Sequence, residues 1–390
     1  MIYAVLFAGR RWLAVAVSML WLLSGPAAWG QVPGFEWAVA CGSAASADYG
    51  VGASQLAVDA QGNTYVLGSF AGTITLGGTM LTAASLPTNA PYNQYDIFVA
   101  KLDVQGQYQW AVRAGGDKND TGTGLAVDAA GGVYLTGRFS SYSMSFDAAG
   151  PTLYNSSSSE EVFVAKLNAA NGQCQWARRA GGLGSDAGQA IVTTTQGEVY
   201  VAGCFNAYNT SSLTSNFGTT IFTGIGAFVA KLDGAGNWLW VVRAGGAATY
   251  SAMNGLSVDN TGAIYLSGYF LGTPPCSVSF GSITLIGLLV PGYDKNITSD
   301  GFVAKLDAAG NWLWAVQGDA AGHNLMTVNN LVSDGQGHLY ASGVYAGTAA
   351  RFGAITLPNL SSVRPAPNPL PPSPYTAYYA DAFVARLDAA

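Results

Sequence analysis

From Phe35 onward, short apolar runs alternate with clusters of Gly, Asn, Asp and Ser. Within the runs, apolar and polar residues alternate with period two, which predicts half-buried β-strands. Sustained helical periodicity is absent. The runs recur in a fixed order. Leu56-Ala-Val58, then a turn Asp59-Ala-Gln-Gly62-Asn63, then Tyr65-Val-Leu-Gly68-Ser-Phe70 predicts a hairpin. Asp opens such a turn by bonding backbone N–H groups, and Gly supplies positive φ. The pattern returns at Asp128/Gly131/Tyr134, Gly197/Tyr200, Asp259/Gly262/Tyr265 and Asp334/Gly337/Tyr340. In the third copy we read Thr195 in place of the Asp, which predicts a weaker turn.

A second constant piece follows each hairpin after a variable stretch. FVAKLD stands at Phe98–Asp103, Phe228–Asp233 and Phe302–Asp307, with FVAKLN at Phe163–Asn168 and FVARLD at Phe383–Asp388. Trp strands begin near Trp37, Trp110, Trp176, Trp240 and Trp314. Each repeat therefore predicts four consecutive antiparallel strands. One small sheet of this kind cannot bury both faces alone, whereas radial stacking of several does. The expected fold is an all-β propeller of four-stranded blades, with repeat units at about 35–103, 110–168, 176–233, 240–307 and 314–388. The first Trp strand precedes the first hairpin, and none follows Phe383–Asp388. Five blades are expected, with the N-terminal strand at 35–41 closing the last one. The alternative is a truncated part of a larger propeller or repeat array.

The string D-x-x-G-N-x-Y-V-x-G-x-F, then D-x-F-V-A-K-L-D-x-x-G-x-x-x-W, resembles the bacterial β-propeller repeats known as SBBP repeats, and is similar to the NHL-type blade. The resemblance spans about 35–388 and implies export or surface display, with no agreed activity. The family name refers to seven blades, against five counted here.

Composition narrows the picture. Charged residues make up 10% of the chain, net charge is −6, and no dense basic cluster exists, so nucleic acid is not an expected partner. Arg10-Arg11, the apolar Trp12–Leu23 and Ala28-Trp29-Gly30 read as an export signal over 1–30, cleaved before Gln31. That leaves 31–390 as a single domain without a membrane span, secreted or at the cell surface. Cys41, Cys174, Cys204 and Cys276 match no metal or redox spacing and are expected as thiols, with Cys174–Cys204 the alternative disulfide.

Recurrent polar residues read first as scaffold. These are Lys101, Lys166, Lys231, Lys305 and Arg386, with the acids Asp96, Glu161, Asp300 and Asp381, and also Asp48, Asp120 and Asp186. A channel-lining charge ring or a calcium site is the sharper alternative. Trp238 and Trp312 read as packing, with sugar stacking the alternative. His323 and His338 are the two histidines, and no motif assigns a catalytic residue, cofactor or metal. Unit-specific insertions at Thr82–Tyr95, Leu285–Ser299 and Pro358–Tyr379 are better site candidates. Tyr375, Tyr378, Tyr379, Tyr92 and Tyr95 are the residues expected to meet a partner, an extracellular glycan or protein. A monomeric binding or structural module is expected, ahead of an enzyme acting on an extracellular polymer.

Overall fold

A computed structural model describes residues 34–42, 50–85, 94–146, 150–157, 159–207, 213–245, 250–272, 276–287, 298–321, 325–360 and 380–388. Ala40–Ala390 is one compact unit and Met1–Val39 another, of which 34–39 are described and hold no strand. Among the described residues the secondary structure is strand and turn, with no helix.

The first repeat contains β1 (Val51–Val58), β2 (Thr64–Phe70), a small hairpin β3 (Thr73–Leu76) and β4 (Thr79–Thr82), then β5 (Asp96–Leu102) and β6 (Tyr108–Gly115). The second contains β7 (Asp120–Val127), β8 (Gly132–Phe139), β9 (Ser143–Phe146), β10 (Thr152–Tyr154), β11 (Glu161–Asn168) and β12 (Cys174–Gly182). The third has β13 (Ser185–Thr193), β14 (Val199–Ala207), β15 (Thr214–Phe217), β16 (Thr220–Thr223), β17 (Gly226–Leu232) and β18 (Trp238–Ala244). The fourth has β19 (Tyr250–Val258), β20 (Ile264–Gly272), β21 (Cys276–Phe280), β22 (Ile283–Gly287), β23 (Thr298–Leu306) and β24 (Trp312–Ala321). The fifth has β25 (Leu325–Ser333), β26 (His338–Ala346), β27 (Ala349–Phe352), β28 (Ile355–Pro358) and β29 (Ala380–Asp388).

Each of the first four repeats is a four-stranded antiparallel sheet in chain order, for example β1-β2-β5-β6. The fifth runs β25-β26-β29, and β29 pairs with β26 alone among the described residues. The innermost strands β1, β7, β13, β19 and β25 touch in series, so successive sheets stack face to face. Architecture and repetition together fit a β-propeller.

The hairpin turns form as the sequence dictates. Asp59 Oδ1 accepts from the N–H groups of Gln61 and Asn63, and Oδ2 accepts from Tyr65 OH at 3.1 Å. Gly62 takes φ +83°. In the third repeat the turn residue is Thr194 rather than Thr195: its backbone N–H donates to Glu198 O, and its Oγ1 accepts one N–H, from Glu198. A hydroxyl offers fewer acceptor sites than a carboxylate, so the turn is held by fewer bonds.

The small hairpins were unforeseen in their pairing. Four of the five dock not on their own sheet but on the last strand of the preceding one, β6 with β9, β12 with β15, β18 with β21 and β24 with β27, while β3–β4 forms a two-stranded sheet of its own. Between sheets, Tyr65, Tyr134, Tyr200, Phe98, Phe163 and Phe228 are fully buried. Each such side chain contributes about 2–3 kcal/mol by leaving water.

Candidate functional site

Four of the five recurrent cations are built into the sheets, and the fifth, Arg386, is exposed. Lys101, Lys166, Lys231 and Lys305 stand directly opposite Tyr65, Tyr134, Tyr200 and Tyr265. Each ammonium lies over that ring, at 5.2, 4.9, 5.3 and 5.3 Å from its centre. Such contacts stabilise by roughly 0.5–2 kcal/mol. Lys101 Nζ also donates to Ala169 O of the next repeat, and Lys231 pairs with Glu198. Three of the repeat tryptophans join the same seam, while Trp314 Nε1 is buried without a hydrogen-bond partner among the described residues. Trp110, Trp176 and Trp240 donate Nε1–H to Ala169 O, Gly234 O and Ala308 O. These lysines thus serve packing and pairing, not a free charge ring.

The recurrent acids mark the junctions between repeats, and the junctions differ. At the first, Arg113 pairs with buried Asp96, while Asp120 accepts from Gly116 N, Ser140 N, Ser141 N and Ser141 Oγ. Burial pushes the Asp120 carboxyl up to about 7 against those donors. At the second, Arg179 pairs with Glu161, and burial raises Asp186 to about 6. At the third, Gly226 and Ser251 replace the acids. Arg243 donates instead to Thr223 O and Ile225 O, and burial lowers its pKa. At the fourth, Gln317 replaces the arginine and donates to Asp300 Oδ2 at 2.9 Å, while Asp319 brings a second carboxylate nearby. Burial first, and then Asp319, push Asp300 up to about 7. Asp381 accepts from Leu360 N, and Asp48 lies outside the described residues. Asp96, Asp120, Asp186 and Asp300 are at most 3% exposed, which closes them to a substrate.

One recurrent set escaped sequence reading. Every innermost strand carries a β-bulge, at Ser54, Thr123, Gln189, Asn254 and Asn329. The first four extra residues reach the next repeat: Ser54 Oγ to Gly122 O, Thr123 Oγ1 to Gly188 O, Gln189 Oε1 to Met253 N and Asn254 Nδ2 to Asn329 Oδ1. The signal available in sequence was a polar residue at one fixed place in otherwise variable strands. A bulge turns its side chain out of the ladder, which is why these residues can bond across the gap.

Of the expected partner-binding tyrosines, Tyr375, Tyr378, Tyr379 and Tyr92 lie outside the described residues. Tyr95 is half-buried at the first junction, where its N–H donates to Asn119 Oδ1 and its carbonyl accepts from Asp120 N. Trp238 and Trp312 pack edge-on against Phe217 and Phe280, at 5.9 and 4.9 Å. His338 Nδ1 lies 2.8 Å from Asp334 Oδ2 in a turn, and His323 lies outside the described residues. No disulfide joins the four cysteines, and burial pushes Cys204 up to about 12. Among the described residues no cluster of three or more His, Cys, Asp or Glu could hold a metal ion, and no helix is long and apolar enough to cross a membrane.

Sheet order and repetition define the class: a repeat-built chain that fits a β-propeller. No family model matches it. The chain is similar to the uncharacterized WD repeat-containing protein L264 of Acanthamoeba polyphaga mimivirus, 26% identical over 206 residues. The match covers 46% of this chain and 15% of the length of that relative.

Proposed function

We propose that this chain is an exported β-propeller that acts as a binding or structural module, with its partner, an extracellular protein or glycan, meeting the insertions rather than the repeated strands. The observation that carries this reading is that the recurrent polar groups are engaged within the scaffold: lysines over tyrosines, tryptophan N–H groups on the next turn, and acids enclosed at junctions. Variation is then left to the loops, which are where a rigid ring places recognition. The WD repeats in the relative's name support a propeller of this kind, and protein partners are the better fit.

The finer architecture belongs to the same proposal. Residues 31–390 form one domain of five blades, residues 1–30 are an export signal, and the segment at 35–41 is assigned to the fifth blade. Tyr92, Tyr95, Tyr375, Tyr378 and Tyr379 are the side chains we assign to partner contact. An array of extracellular proteins and glycans, probed with the full chain, tests the reading. A hit weakened at least tenfold by Tyr375→Ala with Tyr378→Ala supports it. Turnover of a polysaccharide without any retained partner overturns it in favour of an enzyme.

A further inference from the structure

Two tyrosines of the second repeat stand exposed side by side. Tyr142 enters the small hairpin β9–β10 and Tyr154 ends it, and they are 69% and 61% exposed. Their ring centres lie 6.5 Å apart with planes at 72°, an edge-on pair. A single apolar side chain on a surface is ordinary, but two rings held together make a patch.

The pair belongs to this repeat alone. One backbone bond closes the mouth of the hairpin: Asn155 N donates to Tyr142 O, as Ala83 N does to Gly72 O, Gly224 N to Leu213 O and Asn359 N to Thr348 O. Gly72, Leu213 and Thr348 therefore hold the place of Tyr142, and Thr82, Thr223 and Pro358 hold that of Tyr154. In the fourth hairpin Gly287 stands opposite Cys276 as Tyr154 stands opposite Ser143. A role in the common scaffold explains residues that recur, and these two do not.

The backbone under the rings is fixed. Met144 and Leu153 of the same hairpin are buried in the core. Tyr142 N donates to Asp117 Oδ1 at 2.9 Å, and Asn155 Nδ2 donates to Ser159 O at 2.8 Å. Little freedom is then lost when a ligand settles on the rings. Polar groups rim the pair. Asp117 and Lys118 are exposed, and Lys118 N donates to Ser141 Oγ, one residue before Tyr142. This rim meets the first insertion, where Ser85 Oγ donates to Asp117 O and Tyr95 N to Asn119 Oδ1.

We infer that Tyr142 and Tyr154 form a binding site for a neutral oligosaccharide built of pyranose rings. The inference rests on the proposed binding role and adds a site and a partner class to it. The C–H groups on a pyranose face carry slight positive charge and the face of a phenol ring is negative, so the two stack. An edge-on pair leaves a face of each ring clear, so each ring takes a separate sugar of the chain. The Asp117 carboxylate accepts from sugar hydroxyls and the Lys118 ammonium donates to them. Their opposite charges sit in sequence, which favours a ligand without net charge. A protein partner fits the patch less well. Two tyrosine side chains bury at most about 500 Å² between them. A stable protein interface takes about 800 Å² from each partner, and the surroundings here are polar.

The test is an array of soluble neutral oligosaccharides, built from glucose, xylose, mannose or N-acetylglucosamine, together with extracellular proteins, probed with the full chain. Beside the parent run Tyr142→Ala with Tyr154→Ala, the conservative Tyr142→Phe with Tyr154→Phe, and Met80→Ala. Met80 is 70% exposed on the first small hairpin and controls for loss of an apolar surface side chain. Thermal melts confirm that each variant folds. We expect at least one oligosaccharide to be retained, about tenfold more weakly by the double alanine variant and within about twofold by the other two. Retention that the double alanine variant leaves unchanged overturns the inference; its loss in Tyr375→Ala with Tyr378→Ala would then keep the binding role and move the site. Retention of no oligosaccharide also overturns it. A protein retained instead keeps the binding role, and its loss in the double alanine variant makes the patch a protein interface. An array on which the parent retains nothing removes the inference and the binding role together.

Discussion

The first and fourth junctions hold the same strand ends and opposite electrostatics. At the first, Arg113 neutralises Asp96. At the fourth, Asp300 and Asp319 approach each other with an uncharged Gln317 between the strands. The third inverts this, with Arg243 bonded to carbonyls and no acid paired with it among the described residues. A buried charge is tolerated where a partner or a proton compensates it. The seam between repeats is therefore a fixed backbone geometry with interchangeable charge solutions, and the first, second and fourth each bury an acid whose pKa is pushed up toward neutrality.

The largest expected effect is at the compensated junction. Arg113→Met leaves Asp96 buried without its cation and costs about 3 kcal/mol, read as a lower urea midpoint. Arg243→Met strands no acid and should cost under about 1 kcal/mol. Equal losses in the two variants would break the comparison. Next comes pH. Asp300 has a folded pKa near 7 against an ordinary value of 3.8, so the folded chain holds its proton more tightly. Its stabilising share is full below about pH 4 and drains away as pH rises through 7. Asp300→Asn should flatten that part of the stability profile between pH 4 and 7. Gln317→Arg supplies the missing cation and should stabilise by about 1 kcal/mol at pH 8 but hardly at all at pH 4. The smallest effect is at the turns, where Thr194→Asp should add about 0.5–1 kcal/mol and Asp259→Ala should remove about 1 kcal/mol, both measured by thermal melts.

The turns and the strand order were legible in the sequence because both are local. Asp59 and Gly62 act within one hairpin, and the short apolar runs map onto β2, β5 and their copies, which prove buried on both faces rather than one. What stayed hidden depends on contacts between distant segments. Thr73–Leu76 reads as a short β run, but nothing local says that hairpins of its kind attach to the neighbouring sheet. Ser54 and Thr123 are single polar residues whose partners lie across a gap. Asp319 stands where the first repeat has Gly115, and its meaning emerges only when β23 and β24 place it near Asp300. Four of the five candidate tyrosines fall outside the described residues, so the assignment of the partner face still rests on sequence.

The misplaced hairpins have a mechanical consequence. Because the hairpin of one repeat completes the sheet of the one before, as β9 does for β6, no clean fracture plane separates neighbours. Peeling away a single blade would tear a strand from the next, so damage spreads along the stack instead of stopping at a boundary. In the language of one-dimensional arrays, the shared strand ends add a coupling term between neighbours to the intrinsic stability of each unit. Trimming one small surface hairpin therefore removes pairing from the neighbouring sheet as well as from its own repeat.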